Sequence, residues 1–157
     1  MKQGLEVIDK FSGDYDFLSN FYPVVIQSGG IKFKTVEHAY QASKSTDHNI
    51  WMKISNLDAD EAGKAKHIGR KVKLRKDWDM LKIAVMRRFL MEKFTKNVTL
   101  RKKLLETGNS FLVEGNYWHD NYWGNCKCEK CKNITGRNQL GIMLMKIRSK
   151  IKKCKKL

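Results

Sequence analysis

Two acids stand apart from the other carboxylates by their neighbours. Glu37 lies in Thr35-Val36-Glu37-His38-Ala39-Tyr40-Gln41-Ala42-Ser43-Lys44. Asp120 lies between two aromatic pairs in Glu114-Gly115-Asn116-Tyr117-Trp118-His119-Asp120-Asn121-Tyr122-Trp123-Gly124. Two carboxylates in different surroundings can divide acid and base work between them. Aromatic planes beside acids and amides suit a flat ligand that forms hydrogen bonds, such as a nucleobase. Each feature also has a plainer explanation. A first-turn acid is favoured by the helix dipole by ~0.3–1 kcal/mol, and Trp and Tyr are large core-formers wherever they pack. Gln41 is four residues beyond Glu37, so the two can point the same way on a helix. His38 alone reads as a structural histidine.

A third cluster is Cys126-Lys127-Cys128-Glu129-Lys130-Cys131. Thiols this close, flanked by lysines, could bind a structural zinc, with His119 or Cys154 as the fourth ligand. A Cys-x-x-Cys pair occurs only once, so inert or redox-sensitive thiols explain the run as well. Gly69-Arg70 is expected to follow a helix end, and Gly136-Arg137-Asn138-Gln139-Leu140-Gly141 to open the last helix. A guanidinium fork and an exposed helix N-terminus both suit a phosphate. Helix punctuation accounts for both motifs equally, and neither matches a P-loop or a dinucleotide fingerprint.

These residues need elements to place them. Leu5 to Phe11 reads as a strand, Phe11 to Asp16 as a turn, and Val24, Ile26, Ile31 and Phe33 around Ser28-Gly29-Gly30 as a hairpin. Thr35 caps a helix that carries Glu37, and Asp47 caps a second. Asp58 with Glu61 resembles a capping box for a third helix, which Gly69 would end. Asp77 opens the longest helix, through Leu81, Val85 and Phe89 to Phe94, and Asn97 and Gly108 bracket a short basic one. Phe111-Leu112-Val113 reads as a strand leading into the aromatic loop, where no apolar period runs. Leu140, Met143, Leu144, Ile147 and Ile151 give the last helix its apolar face. The expectation is one helix-dominated α+β domain over residues 1–157, with a small antiparallel sheet.

At 157 residues the chain is long enough to bury a real core. It has no run of apolar residues long enough to span a bilayer and no signal-like N-terminus, so a cytoplasmic protein with no membrane partner is expected. Its 32 Lys and Arg against 16 Asp and Glu give a net charge of +16. That suits a nucleic acid or a phosphorylated substrate, although a Lys-rich surface serving solubility produces the same excess. The densest basic run is Lys146, Arg148, Lys150, Lys152, Lys153, Lys155 and Lys156, ending in a basic tail at about residues 150–157. The sequence leaves the oligomeric state open.

Taken in order, Phe17-Leu18-Ser19-Asn20-Phe21, Val36 to Gln41, Gly69-Arg70, Trp78 with Met80, Trp118 to Gly124 and Gly136 to Gly141 resemble the NADAR (YbiA-like) family of N-glycosidases. The resemblance implies a mostly helical α+β fold and hydrolysis of an N-glycosidic bond to a phosphorylated ribose. The substrates it implies are ADP-ribose on guanine of nucleic acid, or a phosphoribosylamino-pyrimidine of riboflavin synthesis. By motif, Glu37 matches the family's catalytic glutamate, Asp120 the acid of its aromatic loop, and Trp78 the tryptophan that starts its long helix. Asn20, Arg70, Trp118, Trp123 and Asn138 match positions that line the pocket. The Cys-containing insert at about 125–135 departs from the shorter family pattern, which places the substrate in question more than the reaction.

Cleavage of a ribosyl C–N bond passes through an oxocarbenium-like state that a carboxylate can stabilise, while a second group protonates the leaving base. Glu37 is assigned to the water and the cation, Asp120 to the leaving group or the ribose hydroxyls, and Trp78, Trp118 and Trp123 to stacking on the base. Arg70 is assigned to a phosphate. The chemistry requires no cofactor. The competing expectation is a non-enzymatic nucleic-acid-binding module with a zinc-knuckle-like cysteine cluster. Acids within a basic aromatic pocket weigh against it, because they repel phosphates.

Overall fold

The computed structural model describes residues 6–154. They fall into two compact units: Asn20–Val98, and a second that joins the segment ending at Ser19 to the stretch from Thr99 onward.

In the Asn20–Val98 unit, strands β2 (Ile26–Ser28) and β3 (Ile31–Phe33) form the expected antiparallel hairpin, with Ile26 opposite Phe33 and both buried. Gly29 and Gly30 both have positive φ, 57° and 77°, which a two-residue hairpin turn of this hand needs. Helix α1 (Val36–Ser43) follows, and the Thr35 hydroxyl accepts the His38 N–H at 3.1 Å to cap it. Every residue of α1 is buried although half of them are polar. It packs against α2 (His48–Ser55), α3 (Ala62–Lys71), α4 (Trp78–Lys96) and the hairpin. Asp47 caps α2 by accepting the Asn49 N–H at 2.8 Å, and Glu61 accepts the Asp58 N–H at 2.8 Å in the capping box before α3.

One expected helix end is corrected. Gly69 lies inside α3, which continues to Lys71. A Cβ at Gly69 would collide with the side-chain amide of Gln41 on α1, so this glycine permits close approach of two helices rather than termination.

In the other unit, β1 (Val7–Ile8) pairs in parallel with β4 (Phe111–Leu112), and β5 (Gly115–Asn116) in parallel with β6 (Asn125–Cys126). Helix α6 (Gln139–Cys154) packs on β4, and its Leu140, Leu144 and Ile147 are buried. The stretch expected to open on a turn is instead a 3-10 helix, Gly13–Leu18, which buries Phe17 and Leu18. The first strand is shorter than expected, and Leu5 lies outside the described residues. The helix-rich α+β class holds, but in place of a single antiparallel sheet the described residues form three two-stranded pairs, of which among those residues only the hairpin is antiparallel. Strands of two residues carry no alternation for a sequence pattern to reveal. Among the described residues no helix is long and apolar enough to cross a membrane.

The basic run on the last helix is not a uniform outward face. Arg148 is buried, donating to Thr107 Oγ1 at 2.7 Å and to the Ser110 carbonyl at 2.8 Å, and Lys152 Nζ donates to the Gly108 carbonyl at 2.6 Å. These cations satisfy carbonyls just past α5 (Val98–Glu106), where a helix end leaves acceptors unpaired. Lys155 and Lys156 lie outside the described residues. Arg148→Met removes the donors and leaves buried acceptors, which should lower the unfolding free energy by ~2–4 kcal/mol. Urea unfolding with an unchanged midpoint would show that these bonds hold nothing together.

Candidate functional site

Glu37 sits in the first turn of α1 with its side chain buried. Its N–H donates to the Asn20 carbonyl at 3.0 Å, and its Oε1 accepts from Gln41 Nε2 at 2.6 Å. The four-residue helical spacing places the two side chains together as expected. Asn20 is also buried, and its Nδ2 donates to Met86 Sδ at 3.5 Å. Two carbonyl oxygens here, Asn20 Oδ1 and Gln41 Oε1, are buried with no donor among the described residues. Buried acceptors without donors are uncommon and costly. His38 is buried too, its Nδ1 lying 2.7 Å from Thr35 Oγ1; burial holds it below the usual histidine range, opposed by a backbone hydrogen bond at Asp58.

A cation stands near this acid. Lys44 is seven residues, about two helical turns, beyond Glu37, with its Nζ 5.7 Å from the centre of the Tyr40 ring. Burial holds its ammonium below the usual lysine range. The Glu37 carboxylate opposes that shift, and the charges of Lys66 and Arg70 add to it. The half-buried Lys44 ammonium thus feels one acid, Glu37, and two α3 cations, Lys66 and Arg70. Trp78 is buried and packs on Tyr40 at 5.1 Å between ring centres, so it supports the helix that carries Glu37. Nearby, a groove of about 890 Å³ runs between Ser45–Asp47 and the α3–α4 connection, where Lys71, Lys73 and Lys76 are exposed. Its fourth cation, Arg75, is engaged by Asp77 at 2.6 Å.

In the other unit the aromatic stretch is a loop, as expected, and it is tightly organised. Asn116, buried, accepts the N–H groups of Trp118 and Asp120 at 3.2 Å through Oδ1 and donates to the Asp120 carbonyl at 2.8 Å. Asp120 Oδ1 accepts the N–H groups of Tyr122 and Trp123 at 3.1 and 2.8 Å, while its Oδ2 has no hydrogen-bond partner among the described residues. Trp118 is exposed, and Trp123 meets Tyr122 edge-on at 5.1 Å.

The loop's carbonyls of Asn121, Tyr122, Trp123 and Gly124 accept the N–H groups of Arg137, Gln139, Leu140 and Asn138 in turn. The N–H groups at the start of α6 are thus taken up by the loop, which accords with the reading of this motif as helix punctuation. Asn138, at φ 48°, is buried and its amide bridges the Glu114 N–H and the Leu112 carbonyl. Its side chain thereby holds two backbone segments together. The cysteine run adjoins the same loop: His119, Cys126, Cys128 and Cys131 place their ligand atoms within 4.8 Å of one another, a group that could hold a metal ion. Cys154, the other candidate fourth ligand, is exposed on α6 and is not in this group.

Of the expected site residues, Asn20, Glu37, Arg70 and Trp78 belong to one unit, and Trp118, Asp120, Trp123, Asn138 and the cysteines to the other. Lys44 and Lys66 were not singled out from sequence. The signal was available: Lys44 is three residues past Gln41 and seven past Glu37, and Lys66 is four before Arg70, so each shares a helix face with a named residue.

The NADAR domain family model matches residues 9–152. The chain is 37% identical over 141 residues to N-glycosidase Npun_R5314 of Nostoc punctiforme, covering 88% of this chain and 86% of that protein. It is 34% identical over 140 residues to N-glycosidase YbiA of Escherichia coli (strain K12), covering 89% and 84%. Riboflavin biosynthesis protein VVA0006 of Vibrio vulnificus is 35% identical over 140 residues; these are 88% of this chain but 36% of that longer protein. Among solved structures, the NMR structure of E. coli YbiA aligns with a TM-score of 0.77 at 32% identity, covering 98% of this chain and 92% of that one. With the buried first-turn glutamate, the aromatic loop and the glycine-framed start of α6 all carried on a fold shared with YbiA, the chain belongs to the NADAR family and is an N-glycosyl hydrolase of that family.

Proposed function

We propose that the chain hydrolyses the N-glycosidic bond between a base and a phosphorylated ribose, with Glu37 as the carboxylate that activates water and faces the ribosyl cation. The observation that supports this reading is the set of charges in one unit: buried Glu37 and, acting with it on Lys44, the cations Lys66 and Arg70 of α3. An oxocarbenium-like transition state calls for the acid, and a ribose phosphate for the cations. Arg70, exposed on α3, offers the planar fork that fits phosphate oxygens. Asn20 Oδ1 and Gln41 Oε1 are acceptors suited to ribose hydroxyls. The family resemblance assigns Asp120 to the leaving group or a ribose hydroxyl, and Oδ2 is the atom left for that work. Trp118, exposed, and Trp123 are assigned to the base. The proposed place of action is the cytoplasm, and a zinc ion in the cysteine insert serves structure, entering no chemical step.

Two substrates fit. The relatives named for riboflavin biosynthesis support a phosphoribosylamino-pyrimidine. A specific observation favours ADP-ribosyl guanine in nucleic acid: Lys71, Lys73 and Lys76 line an open groove in the unit that holds Glu37, in a chain of net charge +16. Offering both substrates side by side and reading the released base by mass spectrometry separates them. With a nucleic-acid substrate, Lys71→Glu, Lys73→Glu and Lys76→Glu combined should weaken apparent affinity by more than ~10-fold and flatten its salt dependence, because fewer counterions are released. Equal affinity of parent and variant at low salt would favour the small nucleotide.

Glu37→Gln keeps an acceptor for Gln41 Nε2, so the protein should fold with a stability change under ~1 kcal/mol. Single-turnover cleavage should slow by roughly 10²–10⁴-fold, with substrate binding retained. A folded variant that cleaves at the parent rate would remove Glu37 from the reaction. Asp120→Asn likewise keeps Oδ1 for the N–H groups of Tyr122 and Trp123. It should cost little stability, yet slow cleavage by roughly 10²-fold or more if Oδ2 acts on the leaving group. An unaffected rate would confine Asp120 to shaping the loop.

A further inference from the structure

We infer that Cys126, Cys128, Cys131 and His119 bind one zinc ion, and that this ion fixes the conformation of the aromatic loop between Asn116 and Gly124. The site stands on its own geometry, without the N-glycosidase reading.

The donor set is complete and closed. Three sulfurs and an imidazole nitrogen lie within 4.8 Å of one another. In a tetrahedral Cys₃His zinc site, with Zn–S of about 2.3 Å and Zn–N of about 2.0 Å, neighbouring donor atoms stand about 3.5–3.8 Å apart. His119 Nδ1 lies 3.3 Å from Cys128 Sγ and 3.4 Å from Cys131 Sγ. Four protein donors leave no position for a substrate or a reactive water, which marks the site as structural.

The backbone is built to bring these donors together. Pairing of β5 with β6 sets Cys126 opposite Asn116, and the Lys127 N–H donates to the Asn116 carbonyl at 2.7 Å. A turn closed by the Cys131 N–H on the Cys128 carbonyl, at 2.9 Å, brings the Cys-x-x-Cys pair to one side. The His119 N–H donates to Cys126 Sγ at 3.3 Å. Such N–H···S bonds stabilise metal thiolates. His119 has a left-handed backbone, φ 66°, a conformation that histidine adopts more readily than most residues, and it turns the chain so that the imidazole meets the sulfurs of Cys128 and Cys131.

The consequence for the loop follows from sequence adjacency. His119 lies between Trp118 and Asp120, within the turn that Asn116 organises. Cys126 donates its N–H to Asn121 Oδ1 at 2.9 Å, and the next carbonyls cap α6. A metal on His119 and Cys126 therefore pins the loop at both sides of Asp120.

The test uses the full chain, made with zinc available and purified without chelator. Elemental analysis should find about one zinc per chain. Cobalt substitution should give the intense visible absorption of a tetrahedral thiolate site. Cys154→Ser should keep the metal and His119→Ala should lose it, while His119→Cys, which restores a fourth donor, should regain it. Zinc removal should raise amide hydrogen exchange in residues 116–124 and leave α1 unchanged. Metal-free protein, iron in place of zinc, a disulfide among the three cysteines by intact mass, or metal retained in His119→Ala would each overturn the site. Loop exchange unaltered by zinc removal would overturn its role in the loop. None of these readings uses turnover, so loss of the N-glycosidase reading would leave them standing.

Discussion

The constraint on which the Asn20–Val98 unit depends is the burial of a carboxylate on a helix with no solvent-facing side. Taking Glu37 out of water costs several kcal/mol in principle, and only hydrogen bonds and opposite charge offset that cost. Gln41 supplies the bond at 2.6 Å, and Lys44 the nearby charge. Both are carried on Glu37's own helix and its C-cap, and α3 can close over the Gln41 amide because residue 69 has no side chain to meet it. The Glu-x-x-x-Gln spacing on α1 and the glycine on α3 are thus two halves of one packing condition. A fully buried polar helix is an unstable arrangement for a fold alone. It is a reasonable one where the polar atoms have a ligand to meet.

The other unit solves a different problem, that of holding aromatic side chains on an irregular loop. Loops keep a shape only if their backbone polar groups find partners. Here Asn116 and Asp120 hydrogen-bond the loop from inside, and the start of α6 takes the loop's carbonyls. Gly124, Gly136 and Gly141 allow this by close approach, since a Cβ at each would strike a carbonyl, that of Glu114, Gly124 and Leu112 in turn. The glycines that frame a phosphate-like motif in the sequence are there for contact between backbones. The same residue types serve both purposes, and only the position of neighbouring chain segments separates the two.

That ambiguity explains what was legible in the sequence. Caps at Thr35, Asp47 and Asp58, the Gly29-Gly30 hairpin and the long helix from Asp77 were readable, because each depends on residues within a few positions. The Glu37–Gln41 contact was readable for the same reason. The two parallel strand pairs, the fate of Gly69 and the inward role of Asn138 were not, because each is decided by a partner far along the chain. Lys44 is the instructive omission. Its helical spacing from Glu37 was plain, but a lysine gains interest only when burial is known, and burial is a tertiary property.

Charge shows how far composition can mislead. A net of +16 suggests a broad field for polyanions, yet several of the cations have local work. Arg148 and Lys152 hold backbone carbonyls, Arg75 is bound to Asp77, and Lys127 reaches Asp9 at 2.6 Å. Cations spent on fixed partners contribute to the distant field but not to contacts with an incoming phosphate. What distinguishes a binding surface is a set of exposed cations with few acids to answer them. Lys71, Lys73 and Lys76 along the groove meet that description, and they lie on the same helix–connection segment as Arg70. The electrostatic case for a nucleic-acid substrate therefore rests on this short stretch, which directly follows the helix packed against Glu37's own, and not on the formal charge of the chain.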